Sequence, residues 1–474
     1  MKRTALSIFW HRFRADRRGT VAIIVGLSII GLVGTAGLGI DFFNALAAKS
    51  KLDLATDAAA LAAINAAQTY IVANSGSQVD PALTNGAIAA GKAQALKVFK
   101  SNAGSTASIA STPTVTMART GQTINATVTY TAVSQNAFGP LFGVSQINMN
   151  GDAASSLTMG KYLDFYLLLD VSGSMGIPST NSEQTRLAAI NPDYRNLYPG
   201  GCTIACHFKG PPAPGYKACQ DSTGTSVTCQ GYNLTRISGT PNAICSQPGT
   251  AACIQLRLDA VAYATQQLMA TAQTTETIPN QYRVGLFPFI RHMQQYQPLS
   301  ANLATVTTAA GTLTSLIDDG TGSGYGSGGT HFENALPELN AAITTVGNGS
   351  GAATPQPFVF LVTDGAQNNQ IQTGGGAWSG SNHATTLNTA DCSTLKNRGI
   401  TLSILYVPYV PIQNPTTIWT NEDGFANANI PNIDPSLRAC ASPGFFYTAN
   451  TPSDITNAMQ DMFAQSLALA RLTQ

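Results

Sequence analysis

The sequence predicts an α/β protein built on a doubly wound, mostly parallel sheet, preceded by a transmembrane helix, a helical stalk and a small α+β region. Near-continuous apolar runs carry the first part: "YLDFYLLLD" (Tyr162–Asp170), "YRVGLFPFI" (Tyr282–Ile290), "PFVFLVTDG" (Pro357–Gly365) and "ITLSILYVPYV" (Ile400–Val410). Strands without polar alternation are buried on both faces, the condition of a parallel sheet covered by helices. Helical patterns separate or follow them at Gln255–Ala272, Phe332–Thr345 and Pro452–Ala470. The third observation lies upstream, where Val21–Ile40, "VAIIVGLSIIGLVGTAGLGI", carries no charge at all.

Taken in order, residues 1–18 are a basic segment in which Lys2, Arg3, Arg12, Arg14, Arg17 and Arg18 stand against the single acid Asp16. A basic flank stays cytoplasmic, so the chain beyond residue 42 is expected outside the membrane. About 20 apolar residues suffice to cross about 30 Å of hydrocarbon. The run continues into the helical pattern "DFFNALAAKSKLDLATDAAALAAINAA" rather than ending in a small-residue cleavage site. Residues 19–42 are therefore read as an uncleaved signal anchor, and residues 43–73 as a helical stalk. A buried core helix would not need the basic flank.

Residues 74–160 read as the small α+β region. Ile88–Lys100 has a helical pattern, after which the period changes to two: Ile124, Ala126, Val128 and Tyr130 alternate with Thr and Asn in "TINATVTYTAV". "ARTGQ" before it suits a hairpin turn from "TVTM", and Ile147–Met159 suits a further strand. Residues 161–474 form the main α/β domain.

A chain of 474 residues exceeds one ordinary core, and roughly 150 residues per domain gives two or three units. Only 10% of residues are Asp, Glu, Lys or Arg, against about 25% in ordinary soluble domains, and the formal net charge is +1. No basic field for nucleic acid exists.

Eight cysteines fit the outward address. Cys202, Cys206, Cys219, Cys229, Cys245 and Cys253 crowd into an insertion at 177–254, while Cys392 and Cys440 lie downstream. An even count in a Gly/Pro-rich segment outside the membrane is best read as disulfides, and six cysteines allow 15 pairings. Zinc is the rival, because "CTIACH" groups Cys202, Cys206 and His207. The later spacings do not repeat the short-spaced pairs of structural zinc sites.

Function is expected at the carboxyl ends of the strands, where ligands of such sheets sit. The first apolar run ends in Asp170, followed by Ser172 and Ser174; "PFVFLVTDG" ends in Asp364; and the glycine loop "GSGYGSGGTHFENAL" delivers Thr330 to a helix start. Two carboxylates and three hydroxyls form a hard oxygen set that suits Mg²⁺ or Mn²⁺. Each piece alone is ordinary loop or cap chemistry. Their combination, each at a strand end or helix start, points to metal coordination.

"DVSGSM", "GGT" before a helix and "VTDG" after an apolar strand resemble the metal-ion-dependent adhesion site (MIDAS) of von Willebrand factor A domains, over roughly residues 161–474. The resemblance implies that Ser172, Ser174 and Thr330 bind the ion directly while Asp170 and Asp364 act mainly through water or hydrogen bonds. An ion so under-neutralised accepts an acidic side chain from a protein partner. The chain departs from that pattern in the insertion, about 78 residues between Gly176 and Gln255. "RRGTVAIIVGLSIIGLVG", the Ala-rich stretch after it, the small α+β segment and then an A domain are similar in order to the TadG-like proteins of Flp (tight adherence) pilus assembly. That similarity implies a single-pass bacterial inner-membrane protein, its bulk periplasmic or at the cell surface, that assembles or anchors a pilus.

Three alternatives compete with this reading. An enzyme is disfavoured: the glycine loop lacks the Lys of a phosphate-binding loop, "DVSGSMG" does not fit a hydrolase elbow, and His207, His292, His331 and His383 are scattered. A pseudopilin-like subunit would usually carry an acid early in the apolar helix, and none lies in Val21–Ile40. A general cell-surface adhesin would use the same metal site.

Overall fold

The computed structural model describes residues 19–74, 82–120, 123–190, 219–220, 226–227, 244–250, 253–313, 330–369, 371–372, 378–379, 383–409 and 420–472. The chain divides into two compact units, Met1–Met159 and Gly160–Gln474.

In the first unit α1 (Gly19–Asn74) is a single helix of 56 residues. At 1.5 Å per residue it runs about 84 Å. It is the one helix among the described residues long and apolar enough to cross a membrane, by length and composition. Ile23, Ile24, Leu27, Ile30 and Leu32 in its first part are exposed. From Ala45 onward one face is buried instead, through Leu52, Ala55, Ala59, Ala63 and Ala67. That face packs with α2 (Ala82–Ala103) and an antiparallel sheet of β1 (Thr114–Thr120), β2 (Thr123–Gln135) and β3 (Gln146–Thr158), in the order β1-β2-β3. Alternation along β2 buries Ile124, Ala126, Val128, Tyr130 and Ala132 on the helix side. Tyr130 donates its hydroxyl to Asp53 Oδ1 at 2.6 Å, and Lys49 pairs with the same carboxylate at 2.7 Å.

The second unit is built on six strands: β4 (Leu163–Asp170), β5 (Tyr282–Phe289), β6 (Gln297–Ser300), β7 (Gln356–Thr363), and, past the short β-ladder of β8 (Ala366–Asn368) with β9 (Ala384–Thr386), β10 (Thr401–Tyr406) and β11 (Phe446–Thr448). The order is β11-β10-β7-β4-β5-β6, parallel throughout except that β6 runs against β5. Every residue of β4 and β10 is buried, as strands covered on both faces require.

Helices α3 (Asn181–Ile190), α4 (Arg257–Thr275), α5 (Leu303–Gly311), α6 (Phe332–Ala342), α7 (Thr389–Asn397), α8 (Thr420–Cys440) and α9 (Pro452–Leu472) complete the unit. Phe165, Leu167 and Leu169 of β4 face a core shared with α4, α5 and α9. Tyr166 and Leu168 face the other, shared with α6, α7 and α8. Each fully buried Leu or Phe contributes roughly 2 kcal/mol, so alternate residues of one strand hold both layers.

A disulfide joins Cys392 of α7 to Cys440 at the end of α8, with Cα atoms 5.5 Å apart. A second joins Cys245 to Cys253. Cys202, Cys206 and Cys229 lie outside the described residues, as do the side chain of Cys219 and the glycine loop before Thr330.

Candidate metal centre

At the carboxyl edge of the sheet β4 ends in Asp170 beside the end of β7. A one-turn 3₁₀ helix at Gly173–Gly176 follows at once, with Ser172 extended at its start. This tight turn folds the chain back so that Ser172 N–H donates to Asp170 Oδ1 at 2.9 Å. Thr363, the last residue of β7, donates its hydroxyl to Asp170 Oδ2 at 2.6 Å, and its own oxygen accepts Gly365 N–H at 2.9 Å. Gly365 has φ 77°, a left-handed conformation that releases the chain sharply after Asp364.

The hydroxyls of Ser172 and Ser174 lie 3.2 Å apart. Thr330 is pinned to the same edge through its backbone. Asn368 N–H of β8 donates to its carbonyl at 3.0 Å, and the next amide, His331 N–H, donates to the carbonyl of Ile290, just past β5, at 2.8 Å. Asp170, Ser172, Thr330 and Asp364 are all buried, and Ser174 is partly exposed.

Asp364 differs from Asp170 in how it is held. Both of its oxygens are buried without a hydrogen bond of normal geometry. The guanidinium of Arg257, at the start of α4, stands 3.8 Å from Asp364 Oδ2 and donates elsewhere, to the carbonyl of Pro408 at 2.8 Å. Burial pushes the Asp364 carboxyl above the ordinary carboxylate range, opposed by Arg257, the Ser174 hydroxyl and the Ala366 amide. Burial, then the neighbouring Asp364, push the Asp170 carboxyl up as well, against the hydrogen bonds from Thr363 and Ser172. Two buried carboxylates thus neighbour each other while the one guanidinium, that of Arg257, stands beside Asp364, leaving negative charge that a further cation or a proton would offset.

This donor set fits a small, hard divalent cation. Among the described residues no group of three or more His, Cys, Asp and Glu could hold a metal, so an ion here would rely on hydroxyls. The two Asp364 oxygens, beside Ser174 and short of hydrogen bonds of normal geometry, are the acceptors such an ion would meet. Arg257 and Thr363 were not singled out from sequence. Arg257 stands alone among apolar neighbours in "IQLRLDA", and Thr363 is inside the quoted "VTDG", where it reads as an ordinary strand residue.

Several other ionisable groups of the second unit have partners of their own. His331 Nδ1 lies 2.6 Å from Glu333 Oε1, and Gln367 donates to Glu333 Oε2 at 2.7 Å. His292 Nδ1 lies 2.6 Å from Glu338. At the opposite end of β4 Asp164 accepts two bonds from Arg283, at 2.7 and 2.6 Å.

The insertion leaves and re-enters through a narrow neck next to this edge. Arg257 N–H donates to the carbonyl of Ile177 at 2.9 Å, and Ser179 N–H to that of Gln255 at 2.8 Å. The fully buried Glu183 of α3 accepts the amides of Gly249 and Gln255 at 3.0 and 2.8 Å. Arg186 binds Glu183 and the carbonyl of Thr250.

No family model and no curated protein matches the chain. Among solved structures it is similar to the pilus adhesin SpaC from Lactobacillus rhamnosus GG, with 11% identity over 75% of this chain and 34% of that one (TM-score 0.31). Proximal thread matrix protein 1 from the mussel byssus, in a form with a zinc-occupied MIDAS motif, aligns at 11% identity over 65% of this chain and 49% of that one (TM-score 0.34). The PilB minor pilin from Streptococcus sanguinis aligns at 9% identity over 75% and 77% (TM-score 0.33). The chain spans about a third of the adhesin and about half of the matrix protein.

Proposed function

We propose that the second unit is a von Willebrand factor A-type module that binds a protein partner through a divalent metal. The observation that carries this reading is the pair of orphaned, buried Asp364 oxygens beside Asp170, Ser172 and Ser174. In this reading Ser172, Ser174 and Thr330 hold Mg²⁺ or Mn²⁺ directly. Asp170 and Asp364 hold it through water or fix the hydroxyls. Bound there, the metal supplies a Lewis-acidic coordination position for an acidic side chain of the partner. Thr363 and the Ser172 amide keep the Asp170 carboxylate oriented, and Arg257 limits the charge that the carboxylates must share.

The whole chain reads best as an outward-facing, membrane-anchored factor of a Flp/Tad-type pilus. The order of basic segment, apolar helix, small α+β unit and A-type module supports it, and the disulfides support an extracytoplasmic bulk. In this reading the module binds and does not catalyse. A general adhesin would use the same site, and gene neighbourhood separates the two: secretion ATPase and small pilin genes nearby favour pilus assembly.

Calorimetric titration with Mg²⁺ or Mn²⁺ tests the metal. Saturable binding that disappears in the Asp170→Ala, Ser172→Ala double variant, with the fold retained, is expected; unchanged binding overturns it. Crosslinking in cells from a photoreactive residue near Ser174, with and without chelator, then identifies the partner.

A further inference from the structure

The loop Asn136–Ser145, between β2 and β3, is an exposed and uncharged feature of the first unit. Its sequence, "NAFGPLFGVS", carries no ionisable side chain. Leu141, Phe142 and Val144 are 75%, 50% and 47% exposed, a cluster of apolar surface at a loop tip where polar residues are the rule.

This loop lies on α1. Gly34 and Gly37 are buried while their helical neighbours Val33, Thr35 and Ala36 are exposed, because the loop covers them. A Cβ at Gly34 would collide with the Phe142 ring, and one at Gly37 with the Phe138 ring. One helical turn further on, Asp41 accepts the amides of Ala137, Phe138 and Gly139 at 2.9, 2.8 and 2.8 Å. The loop closes on itself through Asn136 N–H to Ser145 O and Val144 N–H to Gly139 O, both at 3.0 Å. Much of its backbone is thus satisfied internally or by Asp41, which is what a segment leaving water needs.

The helix sets the depth. Gly37 and Gly34 precede Ile40, the outer end of the uncharged run, by three and six residues. At 1.5 Å per residue, Phe138 and Phe142 meet α1 about 4.5 and about 9 Å below that end. With the bilayer on the uncharged run Val21–Ile40, those positions are in hydrocarbon, at the depth that interfacial elements reach.

We propose that Asn136–Ser145 is a second membrane element, docked on the Gly34/Gly37 face of α1, that seats Leu141, Phe142 and Val144 among the acyl chains of the outer leaflet. The proposal rests on the reading of α1 as a membrane anchor. With two contacts in one leaflet, the first unit is fixed in tilt and rotation on the membrane surface, where a lone helix would leave it free to rotate.

The test uses the full chain in nanodiscs, with an environment-sensitive fluorescent amino acid placed singly at Leu141, at Ile29 in the apolar run, or at the exposed Thr129 of β2. Emission is compared between ordinary lipids and lipids brominated along the acyl chain. Quenching of about twofold or more at 141 and 29, with little at 129, is expected. Quenching at 29 but not at 141 overturns the loop proposal and leaves the anchor standing. Absence of quenching at 29 overturns the anchor and the proposal with it. Equal quenching at 129 and 141 also overturns the proposal, since the loop would then be no deeper than the sheet.

Discussion

Thr363 donates its hydroxyl to Asp170 Oδ2 at 2.6 Å, joining the ends of adjacent parallel strands across 193 residues of sequence. Replacing it by Val keeps shape and strand propensity while leaving the carboxylate oxygen and the Gly365 amide without their partner. The Thr363→Val variant is expected to lose about 1 to 3 kcal/mol of stability in denaturant unfolding. Its Mg²⁺ affinity should fall roughly tenfold by calorimetry, about 1.4 kcal/mol. Thr363→Ser should retain both; an unaltered affinity in the Val variant would show that Asp170 needs no such support.

Metal binding should appear as stability. A ligand that binds only the folded state at 100 times its Kd stabilises by about 2.7 kcal/mol. For a unit as large as Gly160–Gln474 that is roughly 4 °C in Tm. Adding EDTA to Mg²⁺-loaded protein should lower the second unit's calorimetric transition accordingly. In Asp364→Asn the transition should not respond to Mg²⁺, because the orphaned carboxylate is gone. A metal response preserved in that variant would remove Asp364 from the site.

The Cys392–Cys440 bridge closes a loop of 48 residues and the Cys245–Cys253 bridge one of 8. Chain-entropy arguments assign about 4 kcal/mol to the first and about 2.5 kcal/mol to the second. Replacing each pair by Ala should lower the unfolding midpoint more for 392/440, which also opens space between two core helices. Equal effects would mean that the short bridge restrains more of the insertion than its own loop.

Burial acts to raise the Asp53 pKa, but hydrogen bonds from Lys49 and Tyr130 outweigh it and hold the carboxyl below its usual range. A depressed folded pKa means stability present above the ordinary carboxylate value and lost as pH falls through the folded one. Wild type should therefore lose stability in the first unit below about pH 4. Asp53→Asn should flatten that acid-side slope. The check is the pH dependence of the first unit's calorimetric transition, and parallel slopes in both proteins would rule the interaction out as its source.

The strands of the large sheet were legible because burial on both faces leaves no room for polar alternation, so β4, β5, β7 and β10 announce themselves. The edge strand β6 and helix α3 were not. "QPLS" is too short to show a period, and "NSEQTRLAAI" is polar on most sides, its Glu183 being buried only because the neck of the insertion folds over it. The acids at the strand ends were legible as chemistry, since Asp followed by Ser-x-Ser is a compact local pattern. Arg257 was not, because its partner Asp364 lies 107 residues away and nothing local marks a guanidinium as buried. Asp41 has the same character: it reads as the polar end of an apolar helix, and its three amide donors come 96 to 98 residues later.

The neck between Ile177 and Arg257 has an evolutionary side. Chain ends held within one hydrogen bond make the intervening length nearly a free variable, since doubling such a loop costs only about 0.6 kcal/mol. Between Ile190, the end of α3, and Ile244, chain length can therefore change while Glu183, Arg186 and the sheet stay as they are. Length and composition there are free to drift across a lineage without loosening the strands beneath.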